Sequence, residues 1–262
     1  MNKSLSLTFQ MLAQRTWGNL GDANRLNLTM TETSLTDFLL LDLKRSHPRY
    51  VEAWKINQRR EAYWGADWAW WFQGTRSSYG MLIQAKSLDV ATLTYKRLDY
   101  TKQRSKIPQV DALIQAADRQ TYKRKRYRMH PAYCFYNYWP KANDDPKRHC
   151  QCFPIRGTWG CSVADARHVR QCIRNSQLDL DSVRAVSSPW SCLVCCKPSG
   201  GGTTTLAEGV REFGGKMAGD YDIPDLDGVP QYINDLRDAK TEEERDAILR
   251  KVRVGGVVCI SE

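Results

Sequence analysis

The side chains best placed to do chemistry are Asp67 and, seventeen and nineteen residues further on, Gln84 and Lys86. Hydrolysing a phosphodiester needs a cation to polarise the phosphate, an activated water and stabilisation of the leaving oxygen. A carboxylate such as Asp67 is a hard oxygen ligand for Mg²⁺. Gln84 and Lys86 stand two residues apart, so in a strand both side chains project from one face. Gln84 would offer its side-chain carbonyl to the metal, Ala85 its backbone carbonyl, and Lys86 would orient or deprotonate the water. The segment Met81-Leu-Ile-Gln-Ala-Lys86 is otherwise apolar, and lysine is a poor guest in such a strand unless it faces a site or solvent. The plainer alternative makes Asp67 a turn cap after Gly65 and Lys86 an exposed strand lysine.

These residues need elements to position them. The spacing of Leu35, Phe38, Leu39 and Leu43 predicts a helix over 31–44, capped by Thr31 or Thr33 and stopped before Pro48. Residues 50–57 alternate as a half-buried strand would, and the aromatic run 66–73 suits a second strand. A polar turn at 74–80 would join it, as a hairpin, to a third strand at 81–86. Helices are expected at 109–119 and 162–175, a buried strand at 132–139 and a loop at 140–149. The expected fold class is α/β: a central mixed sheet flanked by helices. Ser199-Gly-Gly-Gly-Thr-Thr-Thr205 reads as a linker dividing residues 1–198 from a C-terminal extension, 206–262. That extension reads as irregular to Pro230, with a capping box at Thr241 and Glu244 opening a short helix.

The charge is uneven. The net charge is +10, yet residues 205–262 hold 13 acidic and 8 basic residues, leaving +15 on the first 204. A basic body suggests a polyanionic partner, with nucleic acid the commonest. No apolar run approaches the roughly 18 residues a membrane span needs, and the N-terminus lacks a signal-peptide pattern, so a cytoplasmic protein is expected. Nine cysteines, an odd number, do not suggest a disulfide framework.

Gly65-Ala-Asp67 with Ile83-Gln84-Ala-Lys86 resembles the Mrr-type branch of the PD-(D/E)xK nucleases, in which Gln replaces the second acidic residue. The helix-strand-strand-strand-helix-strand order is similar to the restriction-endonuclease-like core. The chain to about residue 196 also resembles the DUF6615 proteins of bacteria. The matching segments are 32–37, Gly65-Ala-Asp-Trp-Ala-Trp-Trp-Phe72, Tyr133-Cys-Phe-Tyr-Asn-Tyr-Trp139, Trp159-Gly-Cys-Ser162 and Pro189-Trp-Ser-Cys-Leu-Val-Cys-Cys196; the tail beyond Ser199 lies outside this resemblance. The nuclease resemblance implies a Mg²⁺- or Mn²⁺-dependent endonuclease, acting on DNA ahead of RNA and serving restriction or anti-phage defence. It assigns Asp67, Gln84 and Lys86 to the site and calls for an upstream acid, either Glu32 or Glu61. The rival expectation is an inactive nucleic-acid-binding or scaffold protein of a defence complex; under either expectation the partners are nucleic acid and a second copy of the chain or a defence-system protein.

Residues 96–128 carry eleven basic and three acidic residues. The densest part contains Lys123, Arg124, Lys125, Arg126 and Arg128 between tyrosines, a pattern suited to phosphate contact and base stacking. The expectation puts it beside the strand that carries Lys86, as a nucleic-acid-binding edge. Trp68, Trp70 and Trp71 are most simply core residues. Cys192-Leu-Val-Cys195 has zinc-knuckle spacing, and Cys150 and Cys152 with His149 could supply the other half of a Zn²⁺ site. Their C-x-C spacing is irregular for that role, and buried thiols explain them almost as well.

Overall fold

The computed structural model describes residues 4–55, 66–101, 106–140, 156–195, 205–219 and 226–262. Among them the chain runs through α1 (Leu5–Arg25), α2 (Glu32–Ser46), β1 (Val51–Lys55), β2 (Trp68–Gln73), β3 (Ser77–Ser87), α3 (Gln109–Asp118), β4 (Gln120–Tyr122), β5 (Lys125–Tyr127) and β6 (His130–Tyr136). There follow β7 (Cys161–Asp165), α4 (Ala166–Arg174), α5 (Leu180–Ala185), β8 (Ser188–Pro189), α6 (Cys192–Cys195), α7 (Leu206–Ala218), β9 (Leu226–Asp227), α8 (Gln231–Asp238), α9 (Glu242–Val252) and β10 (Gly256–Ser261). The sheet order is β1-β10-β2-β3-β6-β7-β8, with β9 added to the start of β3.

The sheet is mixed. β2 and β3 form the expected antiparallel hairpin, and β3 lies parallel to β6, the two being joined through α3. Alternation divides the sheet into two faces. Trp71, Leu82, Tyr133 and Phe135 pack under α3, α4, α8 and α9, while Trp70, Ile83, Ala85 and Cys134 pack under α1, α2, α6 and α7. Trp68, Trp70 and Trp71 are core residues.

The structure departs from the sequence reading in five places. First, α1 was not expected. Its buried stripe of Phe9, Leu12, Ala13, Thr16 and Leu20 is diluted by glycines and polar residues, and Ser4 caps it through the amide of Leu7. Second, residues 161–165 form a strand, not the first turn of a helix; Asp165 ends it and caps α4. Third, residues 206–218 are helical rather than irregular, opened by a capping box of Thr205 and Glu208. Fourth, β3 begins at Ser77, inside the expected turn.

The fifth departure is the largest. The C-terminal segment is not an appended extension. Its last strand, β10, lies between β1 and β2, antiparallel to the first and parallel to the second. Val257, Val258, Cys259 and Ile260 are almost fully buried, which is the composition of a strand covered on both faces. The expected linker falls, except for Thr205, outside the described residues.

Candidate active site

The site forms where the β2–β3 ladder runs out. The last paired residues are Trp68 and Ile83, so β3 continues to Ser87 without β2 on that side. Two carboxylates take the place of the missing strand. Asp67 Oδ2 accepts the amide of Ala85 (2.8 Å), and Glu32 Oε1 accepts the amide of Ser87 (3.0 Å). Because these amides belong to alternate residues of one strand, the two carboxylates are spaced along its edge by roughly 7 Å. Asp67 is held by its own backbone on both sides: its N–H donates to the Ile83 carbonyl, and its carbonyl accepts from Gly256 of β10. Glu32 enters from the first turn of α2, whose N-cap is Thr31.

Gln84 and Lys86 share the other direction, the face under α3. Gln84 Nε2 donates to Asp67 Oδ2 (2.5 Å), and Gln109 Nε2, at the start of α3, donates to Gln84 Oε1 (2.8 Å). The Gln84 amide is therefore clamped between the carboxylate and α3. Gln109 Oε1 is buried and has no partner among the described residues. Lys86 is only 6 % exposed, and its ammonium makes no hydrogen bond or ion pair among the described residues. Unpaired buried ammonium groups are rare, because desolvation penalises the charge.

Electrostatics follow from this burial. Asp67 is pushed up to about 6, chiefly by burial, with the nearby Glu32 adding to the rise; the Ala85 amide, Lys86 and Gln84 pull it partly back. Lys86 is lowered from the ordinary lysine value, again first by burial, against the attraction of Glu32 and Asp67 and with help from Arg97. Both shifts move the groups toward their neutral forms, so both can exchange protons nearer neutrality than in water. The site opens into a cleft of about 680 Å³ whose lining includes Glu32, Gln84, Lys86, Arg97, Tyr100 and Gln109.

Of the residues singled out from sequence, Asp67, Gln84, Lys86 and Glu32 come together. Glu61 lies outside the described residues. The basic segment borders the site only at its start, where Lys96 and Arg97 line the cleft; its densest part does not. Lys123 and Arg124 form the tip of the β4–β5 hairpin, both with positive φ, and the hairpin follows α3. Since Gln109 at the start of α3 touches Gln84, the ten-residue helix sets the hairpin roughly 15 Å away. There Lys123 and Tyr122 bind Asp235 of α8. Cys150, Cys152 and His149 lie outside the described residues, while Cys192 is buried and Cys195 partly so in α6. Gln109, Arg97 and Tyr100 were not singled out from sequence. A polar residue opening a helix carries little signal, and the approach of α3 to β3 is a tertiary fact.

The donors suit a hard divalent cation. Asp67 Oδ1 and Glu32 Oε2 have no hydrogen-bond partner among the described residues, which leaves one carboxylate oxygen available on each. No trio of His, Cys, Asp or Glu is gathered among the described residues. A cation here would rest on two carboxylates completed by water and substrate, a common arrangement for Mg²⁺ at phosphate-processing sites. Gln84 presents its nitrogen, not its oxygen, to Asp67, so its carbonyl joins such a site only after the amide turns over.

No helix among the described residues is long and apolar enough to cross a membrane. The chain matches, over residues 5–261, the model of a family of unknown function, DUF6615, and it belongs to that family. The match runs through the C-terminal segment, in keeping with the place of β10 in the sheet. No curated protein and no solved structure matches it.

Proposed function

We propose that this DUF6615 protein is a metal-dependent nuclease of the PD-(D/E)xK type, hydrolysing phosphodiester bonds of nucleic acid, with its centre at Asp67, Glu32, Gln84 and Lys86. The observation that carries the reading is Lys86: a buried side chain facing a cleft, without a hydrogen bond or ion pair among the described residues, near two carboxylates that each keep an oxygen without a hydrogen-bond partner among them. The restriction-endonuclease-like core is part of the same reading. Its support is the run α2, β1, β2, β3, α3, β6, with β3 and β6 parallel; here β10 intervenes between β1 and β2.

Asp67 and Glu32 would hold Mg²⁺ or Mn²⁺, which supplies electrophilic stabilisation of the phosphate. Lys86 lies against the same carboxylates. Its lowered proton affinity lets it hold, or accept a proton from, an attacking water, and its charge steadies the oxygen that develops charge. Gln84 and Gln109 fix the direction of the Asp67 carboxylate. Defence against foreign DNA is a setting consistent with such an activity.

A second reading has an observation of its own. Gln84 already satisfies Asp67 through its nitrogen, a closed arrangement that a non-catalytic nucleic-acid-binding scaffold would retain. Incubation of plasmid, linear duplex and single-stranded DNA with Mg²⁺ or Mn²⁺ separates the two. Cleavage lost by 100-fold or more in both Asp67→Ala and Lys86→Ala, with unchanged melting cooperativity, is expected. Binding without cleavage under all these conditions favours the scaffold.

A further inference from the structure

We infer that the cleft beside Lys86 receives an unpaired nucleotide, so that the strand acted on is single-stranded or locally opened at the site; this rests on the phosphodiester reading above.

The cleft has the size of a small-molecule pocket, about 680 Å³, room for one or two nucleotides and not for a turn of duplex. Two of its cations are Lys86 and Arg97. Among the described residues the buried Lys86 ammonium makes no hydrogen bond or ion pair, although Glu32 and Asp67 attract it, and the Arg97 guanidinium on the same cleft makes none either. Their neighbour Lys96 differs, being paired with Asp89. Arg97 also sits in the left-handed region, φ 59°, which is unfavourable for a residue with a Cβ. A phosphate in this cleft would find both cations on its wall.

The rest of the lining suits a base. Tyr100 is 43 % exposed on the cleft, and Leu28, from the connection between α1 and α2, lines it at 64 % exposure. Exposed aromatic and apolar groups beside unpaired cations form the pattern by which proteins hold single strands, with phosphates on the cations and bases stacked on rings. Within a duplex the bases are stacked away from such a recess, so a base reaches Tyr100 only when unpaired. The basic β4–β5 hairpin, at the far end of α3, is not part of this cleft.

The test is fluorescence anisotropy in EDTA, where no cleavage occurs, with a labelled twelve-nucleotide single-stranded DNA and its duplex as probes. The full chain is compared with Arg97→Gln and Tyr100→Ala, both at exposed positions. The single strand is expected to bind at least tenfold more tightly than the duplex. Tyr100→Ala should weaken single-strand binding about tenfold or more, and Arg97→Gln should lower the salt slope by about 0.7, one phosphate contact. Equal or tighter duplex binding, or indifference to Tyr100→Ala, overturns the inference. Metal-dependent cleavage measured alongside separates the two ideas. Cutting that needs Asp67 but ignores Tyr100 leaves the nuclease and removes this site. Single-strand binding that needs Tyr100 and Arg97, without any cutting, keeps the site and removes the nuclease.

Discussion

Two groups of buried ionisable residues sit on β3 and β6, and they are built on opposite principles. At one end, on the face under α7, Tyr79, His130, Asp165 and Arg167 lie within reach of one another. Tyr79 Oη lies 2.8 Å from His130 Nδ1, His130 Nε2 lies 3.0 Å from Asp165 Oδ2, and Arg167 reaches the same oxygen at 3.1 Å. At the other end, seven residues or roughly 23 Å further along β3 and on the opposite face, Lys86 faces a cleft with no hydrogen bond or ion pair to its ammonium among the described residues. The carboxylates respond accordingly. Burial pushes Asp165 up, but His130, the Arg167 amide and the Arg167 guanidinium outweigh it, and its proton affinity falls below the ordinary value. Asp67, with only neutral donors in direct contact, rises to about 6. Burial of charge is thus not itself the mark of a site. The mark is burial left uncompensated and turned toward an opening.

Removing an acid from each end should shift stability in opposite directions. Asp165→Ala leaves His130 and Arg167 without their shared anion and should cost about 3–5 kcal/mol, seen as a large drop in the urea midpoint. Asp67→Asn keeps the shape and removes a charge that the fold disfavours. With a folded value near 6 against an ordinary 3.8, the folded state holds more protons than the unfolded state between these limits, and stability falls as pH rises through them. Asp67→Asn should therefore stabilise the protein at pH 7 by about 1–3 kcal/mol, the gain fading as pH drops from 6 to 4. A destabilised Asp67→Asn at pH 7 would contradict the contrast. Mn²⁺ binding at Asp67 should weaken toward tenfold per pH unit below about 6, as protons compete for the carboxylate; calorimetric titration at pH 5 and 7 measures it.

The closed end should also resist crowding. A Cβ on Gly214 of α7 would land against the Tyr79 hydroxyl and 3.2 Å from His130 Nδ1, so Gly214→Ala should cost about 1–3 kcal/mol while leaving DNA binding unchanged. The smallest effect belongs to the open end. Gln109→Leu removes one hydrogen bond to Gln84 and an unpartnered carbonyl oxygen together, so thermal melting should move by no more than about 1 kcal/mol. Cleavage should fall more than stability does, because Asp67 loses a support for its direction.

The candidate cluster was legible in the sequence where it depends on parity. Gln84 and Lys86 fall on one face because they are two apart in a strand, and the hairpin with 66–73 brings Asp67 to them. Glu32 was legible only as one of two acids, since its place depends on where α2 starts relative to the end of β3. Gln109, Arg97 and Tyr100 were illegible, because they meet the site through the packing of α3 and the loop after β3. The basic hairpin was misplaced for the same reason, its composition being plain but its distance set by the length of α3. In the fold, α2, β2, α3 and α9 show clear periodicity. The helix α7 hides behind Gly209, Gly214 and Gly215, residues that lower helix propensity and that here, at Gly214, allow the close approach to Tyr79.

The position of β10 bears on how the molecule is made. On the ribosome, β1, β2 and every residue of the candidate cluster emerge long before residues 256–261, and the strand between β1 and β2 is supplied after them. Until then β1 and β2 present two raw edges to one another across a strand-wide gap, and the Asp67 carbonyl lacks its bond from Gly256. Contacts this distant in sequence also form slowly. A nascent chain therefore carries all its chemistry in an unfinished sheet, and the centre becomes rigid only once synthesis has passed residue 261.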